Sequence, residues 1–187
     1  VIIVRAELTD LPQLLKFRTD AAAWLGSLGI DQWAEPFPVS NITASIRAGE
    51  VFLFKEDLAA GAAATVTLDR NIDPELWDLW TPEERAEPAL YVHKLVVDRQ
   101  HAGRDLGGQI LDWAGDLAAQ QGARWLRLDA WTSNSRLHQY YRAHGFQHVR
   151  TAPDPNEVSG WLAQRRAHRA PHGFDTTRVC PPLEQTD

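Results

Sequence analysis

The chain has 187 residues, one ordinary domain's worth, and is long enough to bury a core without disulfides. A formal net charge of −6 argues against nucleic acid, which calls for a basic face, and no apolar run approaches the roughly 20 residues of a membrane span. The single cysteine, Cys180, excludes an internal disulfide framework, and no signal-peptide pattern opens the chain, so a cytoplasmic protein is expected.

In chain order, the β-branched run "VIIVRAE" (1–7) predicts a first strand. A helix follows over 9–25, with Asp10 as N-cap and Pro12 in the first turn. Glycine and proline punctuation makes 26–38 a loop or broken helix, and 41–50 is a short second helix. Residues 51–56 and 58–69 form an antiparallel hairpin around Asp57. The connection 70–89 is long, acidic and carries Trp77 and Trp80. "LYVHKLVVD" (90–98) is a buried strand, and "HAGRDLGGQIL" (101–111) leads from it into a helix closed by Gly122. A strand (124–131), a capped helix (134–145), a strand (146–151), a turn (152–157) and a last strand (158–165) follow; 166–187 reads as a tail. Hairpins combined with one βαβ crossover imply a mixed sheet in an α/β (α+β) domain.

The glycine turn carries the chemistry. Gly103 and Gly108 satisfy the outer spacing of a P-loop, but Gln109 and Ile110 stand where its lysine and hydroxyl belong. The dinucleotide pattern G-x-G-x-x-G is absent. The stretch instead resembles the coenzyme A motif of the GNAT superfamily of N-acetyltransferases, roughly R-G-x-G-x-G-x-x-L-L, through Gly103, Gly107, Ile110 and Leu111. Ala102 and Asp105 depart from it. "NSRLHQYYRAHGF" (134–146) resembles the same family's N-x-x-A-x-x-x-Y-x-x-x-G-F stretch, through Asn134, Tyr141, Gly145 and Phe146. The resemblance spans about residues 1–165, most specifically 90–146.

It implies a mostly antiparallel GNAT sheet flanked by helices, and direct acetyl transfer from acetyl-CoA to a primary amine of a small molecule or peptide. No metal is implied, and the protein would be a monomer or homodimer. Arg104, Asp105, Leu106, Gly107 and Gly108 would hold the pyrophosphate at the helix N-terminus. Leu95, Val96 and Val97 would present backbone to the pantetheine arm, with Asn134 beside it. Tyr141 matches the usual general acid, with Tyr140 the weaker candidate. His93 is the candidate general base, because an imidazole titrates near neutrality. Asp129, Glu83, Glu84 and Glu87 are alternatives, and a hydrogen-bonded structural histidine is the competing reading of His93. Asp31, Trp33, Trp77, Trp80 and Trp131 would wall an ammonium-bearing acceptor, unless these tryptophans simply pack. Ala102 and Asp105 also keep open a non-catalytic acyl-CoA-binding or interaction domain.

Overall fold

β-branched and aromatic runs supply seven strands: β1 (Ile2–Arg5), β2 (Val51–Lys55), β3 (Ala62–Asp69), β4 (Ala89–Val97), β5 (Trp125–Ala130), β6 (Gln147–Thr151) and β7 (Trp161–Arg166). In the computed structural model, which describes residues 1–35, 38–154 and 158–179, they form one sheet in the order β1-β2-β3-β4-β5-β7-β6. Every neighbouring pair is antiparallel except β4 and β5. The helices are α1 (Leu11–Ser27), α2 (Val39–Arg47), α3 (Pro82–Ala86), α4 (Leu106–Gln120) and α5 (Ser135–Ala143). The expected mixed, mostly antiparallel sheet with one βαβ crossover is thus present, and α4 makes the crossover. No helix among the described residues is long and apolar enough to cross a membrane.

The two faces of the sheet are covered differently. On one, α4 buries Ile110, Leu111, Trp113, Ala114 and Leu117, and the Trp113 ring meets the edges of Phe52 and Phe54 at 5.1 and 5.4 Å. Tyr141 and Phe146, on and just after α5, join this core. On the other, Leu14 and Phe17 of α1 and Ile42 and Ile46 of α2 pack with Val51 and Leu53. Cross-strand partners project to the same side, so Thr65↔Val96, Thr67↔His93 and Asp69↔Tyr91 assign His93 to the α1/α2 face.

The connection between β3 and β4 lies farther along that face and is strapped down. Arg127, fully buried, donates from Nη1 to Glu84 O (2.7 Å) and the Tyr91 hydroxyl (3.1 Å), and from Nε to Gln164 Oε1 (3.0 Å). Arg150 Nη2 pairs with Glu84 Oε1 at 2.8 Å, and Arg124 Nη1 with Glu87 Oε1 at 2.7 Å. A buried cation needs this many acceptors, because leaving one unpaired costs about 3–5 kcal/mol.

Part of the stretch expected as a tail runs back beside β1. Ile3 N–H donates to Asp175 O and Asp175 N–H to Val1 O, both at 2.9 Å. Phe174 and Val179 enter the main core, and Asp116 of α4 accepts from Arg169 Nε at 2.8 Å. Cys180 and the rest of the tail lie outside the described residues.

Candidate active site

β4 and β5 pair only through Ala89↔Trp125 to Val92↔Leu128. Beyond that point β5 turns to β7, pairing Asp129 with Leu162, and β4 stays with β3. The β5-facing backbone edge of residues 93–97 therefore has no partner strand. Two residues of β3, between Thr65 and Thr67, face three of β4, between His93 and Val96, and the surplus is a bulge. Lys94 takes the left-handed conformation there, φ 51°. Nothing in the sequence signalled the bulge, since a glycine would be the usual mark of such a conformation.

His93 stands where the strands part. Its Nδ1 lies 3.5 Å from Asp129 Oδ1 on β5, and its Nε2 lies 3.5 Å from Asp69 Oδ2 on β3. The ring lies parallel to that of Tyr91, centroids 6.4 Å apart. Burial by itself disfavours the imidazolium, but hydrogen bonds and attraction from Asp129 and Asp69 outweigh it and raise the His93 pKa to about 9. Asp69 belongs to the cluster and was not foreseen; its register opposite Tyr91 brings it there.

Tyr141 sits across the sheet, packed edge-on against Tyr140 (5.7 Å) and Phe146 (5.6 Å) and only 8% exposed. Burial, with the neighbouring Tyr140 and Asp129, pushes its pKa well above the phenolic range. Its proton is held at any working pH.

At the end of β4 the chain passes Gly103 (φ 83°) and Asp105 (φ 50°) before α4 begins at Leu106. Asp105 is the N-cap residue, but its side chain makes no cap hydrogen bond. Its carboxylate instead lies 3.5 Å from His144 Nε2. The expectation that Arg104 would offset this charge is corrected: Arg104 Nη1 reaches Glu56 Oε1 at 3.2 Å. Gly107 and Gly108 admit α5 closely, since a Cβ on them would fall 2.5 Å from the Tyr140 hydroxyl and 2.2 Å from His144 Cε1.

A cleft of about 490 Å³, counting its open mouth, lies between α1, α2 and the sheet on the His93 face. Trp33, Phe17 and Ile42 line it with Arg18 and Lys94. The other predicted acceptor residues separate. Trp131 Nε1 donates to Asp31 Oδ1 at 2.8 Å, so these two tie the α1–α2 loop to the end of β5. Asn134 caps α5 through Leu137 N–H (3.1 Å) and donates to Gln32 Oε1 (2.8 Å), so its carboxamide is engaged within the protein. Trp80 is a correction: at 2% exposure it is core, set against Tyr91 and the Arg127 guanidinium. Trp77 is 49% exposed and carries Arg85 over its ring, on the strapped connection. Glu84 and Glu87 are ion-paired to the same straps, which removes them as alternative bases.

A family model described as "Acetyltransferase (GNAT) domain" matches residues 49–148. A curated relative from Bacillus subtilis (strain 168), "Uncharacterized N-acetyltransferase YesJ", is 34% identical over 131 residues, 67% of this chain and 70% of that one. Among solved structures, a GNAT-family acetyltransferase from Listeria monocytogenes 4b F2365 superimposes with a TM-score of 0.74 at 29% identity, over 88% of this chain and 94% of the other. The NatC complex bound to Gag peptide and CoA shares the fold, with a TM-score of 0.62 at 12% identity over 89% of this chain and 99% of the matched one. The parted strands, the glycine turn and these likenesses agree: the chain belongs to the GNAT superfamily and is a GNAT-type N-acetyltransferase.

Proposed function

We propose that the protein transfers the acetyl group of acetyl-CoA to a primary amine by direct attack in a ternary complex. The observation that carries this reading is the gap between β4 and β5, with the acid–imidazole cluster on one face and Tyr141 on the other. The solved NatC relative, described as bound to CoA, supports the choice of donor. The residues of the turn fit a diphosphate: the first N–H groups of a helix have no intrahelical partner and favour anions. The backbone N–H of Asp105 is available whatever its side chain does, and His144 draws the carboxylate to itself.

Acetyl-CoA, when bound, supplies an acetyl group activated as a thioester. The free edge of β4 at residues 93–97 lies in the gap, and an N–H there polarises the carbonyl. Neutral His93 takes the proton that the attacking amine loses as the C–N bond forms. Tyr141 gives its proton to sulfur as the C–S bond breaks, and its raised pKa keeps that proton in place until then. A base with a pKa of about 9 is well matched to an alkylammonium, although most of it is protonated at neutrality.

The test is calorimetric titration with acetyl-CoA and with CoA, followed by thiol release across a panel of amines. Binding followed by amine-dependent release is expected. Binding with no release for any amine would favour the non-catalytic reading.

A further inference from the structure

The cleft that meets the acid–imidazole cluster has an unusual charge arrangement. Its lining is apolar apart from two hydroxyl-bearing types and two cations, and no acidic residue lines it among the described residues. Arg18 enters from α1, donating from Nη2 to Glu35 O at 2.7 Å and lying 5.4 Å over the Trp33 ring. Lys94 enters from the β4 bulge. Burial depresses the pKa of both cations. The Arg18 charge lowers Lys94 further, whereas Asp69, Asp129 and Asp73 raise it. The sequence suggested carboxylates among aromatics; instead, two like charges are brought to one apolar cleft.

Resting on the acetyltransferase reading, we propose that the acceptor is an amine carrying an apolar body and a carboxylate, as in an apolar amino acid, with the carboxylate held by Arg18 and Lys94. The amine then meets the Asp69–His93–Asp129 end, and the apolar body lies against Phe17, Trp33 and Ile42. One ligand anion offsets both desolvated cations, which an uncharged or dicationic amine cannot do. A polyamine would place a second ammonium against Arg18 and Lys94. The cleft's volume is within the usual range for small-molecule sites, roughly 300–1,000 Å³.

The experiment separates binding from transfer. In the presence of CoA, N-acetyl-leucine and its methyl ester are titrated into the wild-type protein, Arg18→Gln and Lys94→Gln. The acetylated ligand has no free amine, so it reads the cleft without the chemistry. At least tenfold tighter binding of the acid, reduced toward equality in both variants, is expected. Equal binding, tighter binding of the ester, or no binding of either ligand would overturn the proposal. Thiol release with leucine against 3-methylbutylamine is the second arm, and a higher kcat/KM for leucine is expected. If acetyl-CoA binds but no amine releases thiol, the enzymatic reading fails, while the titration still decides whether the cleft takes a carboxylate. Circular dichroism of each variant excludes unfolding as the cause of a lost preference.

Discussion

His93 and Asp129 face each other where β4 and β5 part, Nδ1 to Oδ1 at 3.5 Å, with Asp69 at the same distance from the other ring nitrogen. An imidazole between two carboxylates keeps its proton to higher pH than one in water. With a pKa of about 9, His93 as the base gives a kcat/KM that rises to an acid limb at about pH 9 rather than near 6.5. The check is a pH–rate profile with an acceptor already neutral across the range, so that the limb belongs to the enzyme. His93→Gln should remove it. A limb that survives in the folded variant excludes His93 from proton transfer.

Each carboxylate contributes to that shift, so Asp69→Asn and Asp129→Asn should each move the limb, and the His93 ring titration seen by NMR, toward about 6.5. Stability follows the same proton. The folded protein binds it more tightly than the unfolded chain, so the stabilisation is full below about pH 6.5 and is lost as pH rises through about 9. Urea titrations at several pH values should show this loss in the wild type and less of it in either Asn variant.

Tyr141→Phe keeps the buried ring and removes only the hydroxyl. Turnover should fall by about 10²–10⁴-fold, the usual worth of a general acid, with acetyl-CoA affinity little changed. Tyr140→Phe is the comparison and should cost less turnover. Equal turnover in Tyr141→Phe would mean that the thiolate leaves unaided or is protonated by another group.

Much of this architecture was legible in the sequence, because periodicity and turn residues report local structure. The buried run 90–98, the glycine turn and the capped helix after Asn134 all became elements close to their expected limits. The acceptor side was less legible. Trp80 and Trp33 are the same residue type at comparable loop positions. Yet one is buried under Arg127 and the other lines the cleft, a difference set by long-range packing. Asp69 lies 24 residues before His93 in the chain and meets it only through strand register. The Lys94 bulge left no glycine to read.

Asp105 occupies a left-handed conformation at φ 50°, where a β-carbon costs on the order of 1 kcal/mol and glycine nothing comparable. Asp105→Gly relieves that strain and removes an anion from the coenzyme turn, at the expense of the contact with His144. Acetyl-CoA affinity by calorimetry should stay level or rise, and the urea midpoint should not fall. A large loss of affinity would show that the carboxylate itself makes a required contact.

The last prediction concerns how closely α5 crosses the start of α4. A Cβ on Gly107 would fall 2.5 Å from the Tyr140 hydroxyl oxygen but 3.5 Å from the ring carbon that bears it. The clash therefore belongs to one atom. Gly107→Ala should destabilise the protein by about 1–3 kcal/mol, the usual cost of overpacking, even though alanine is the better helix former. Tyr140→Phe deletes the offending oxygen, so Gly107→Ala/Tyr140→Phe should recover most of the loss. Denaturant unfolding of the two single variants and the double gives the coupling directly, and residues in contact couple by about 0.5–3 kcal/mol. At Gly108 the same substitution meets His144 Cε1 at 2.2 Å and both Asp105 carboxylate oxygens at 2.6 Å, so Tyr140→Phe should not rescue Gly108→Ala. If the Gly107 and Tyr140 effects simply add, the hydroxyl does not limit the approach of the two helices, and the packing described for the turn is wrong.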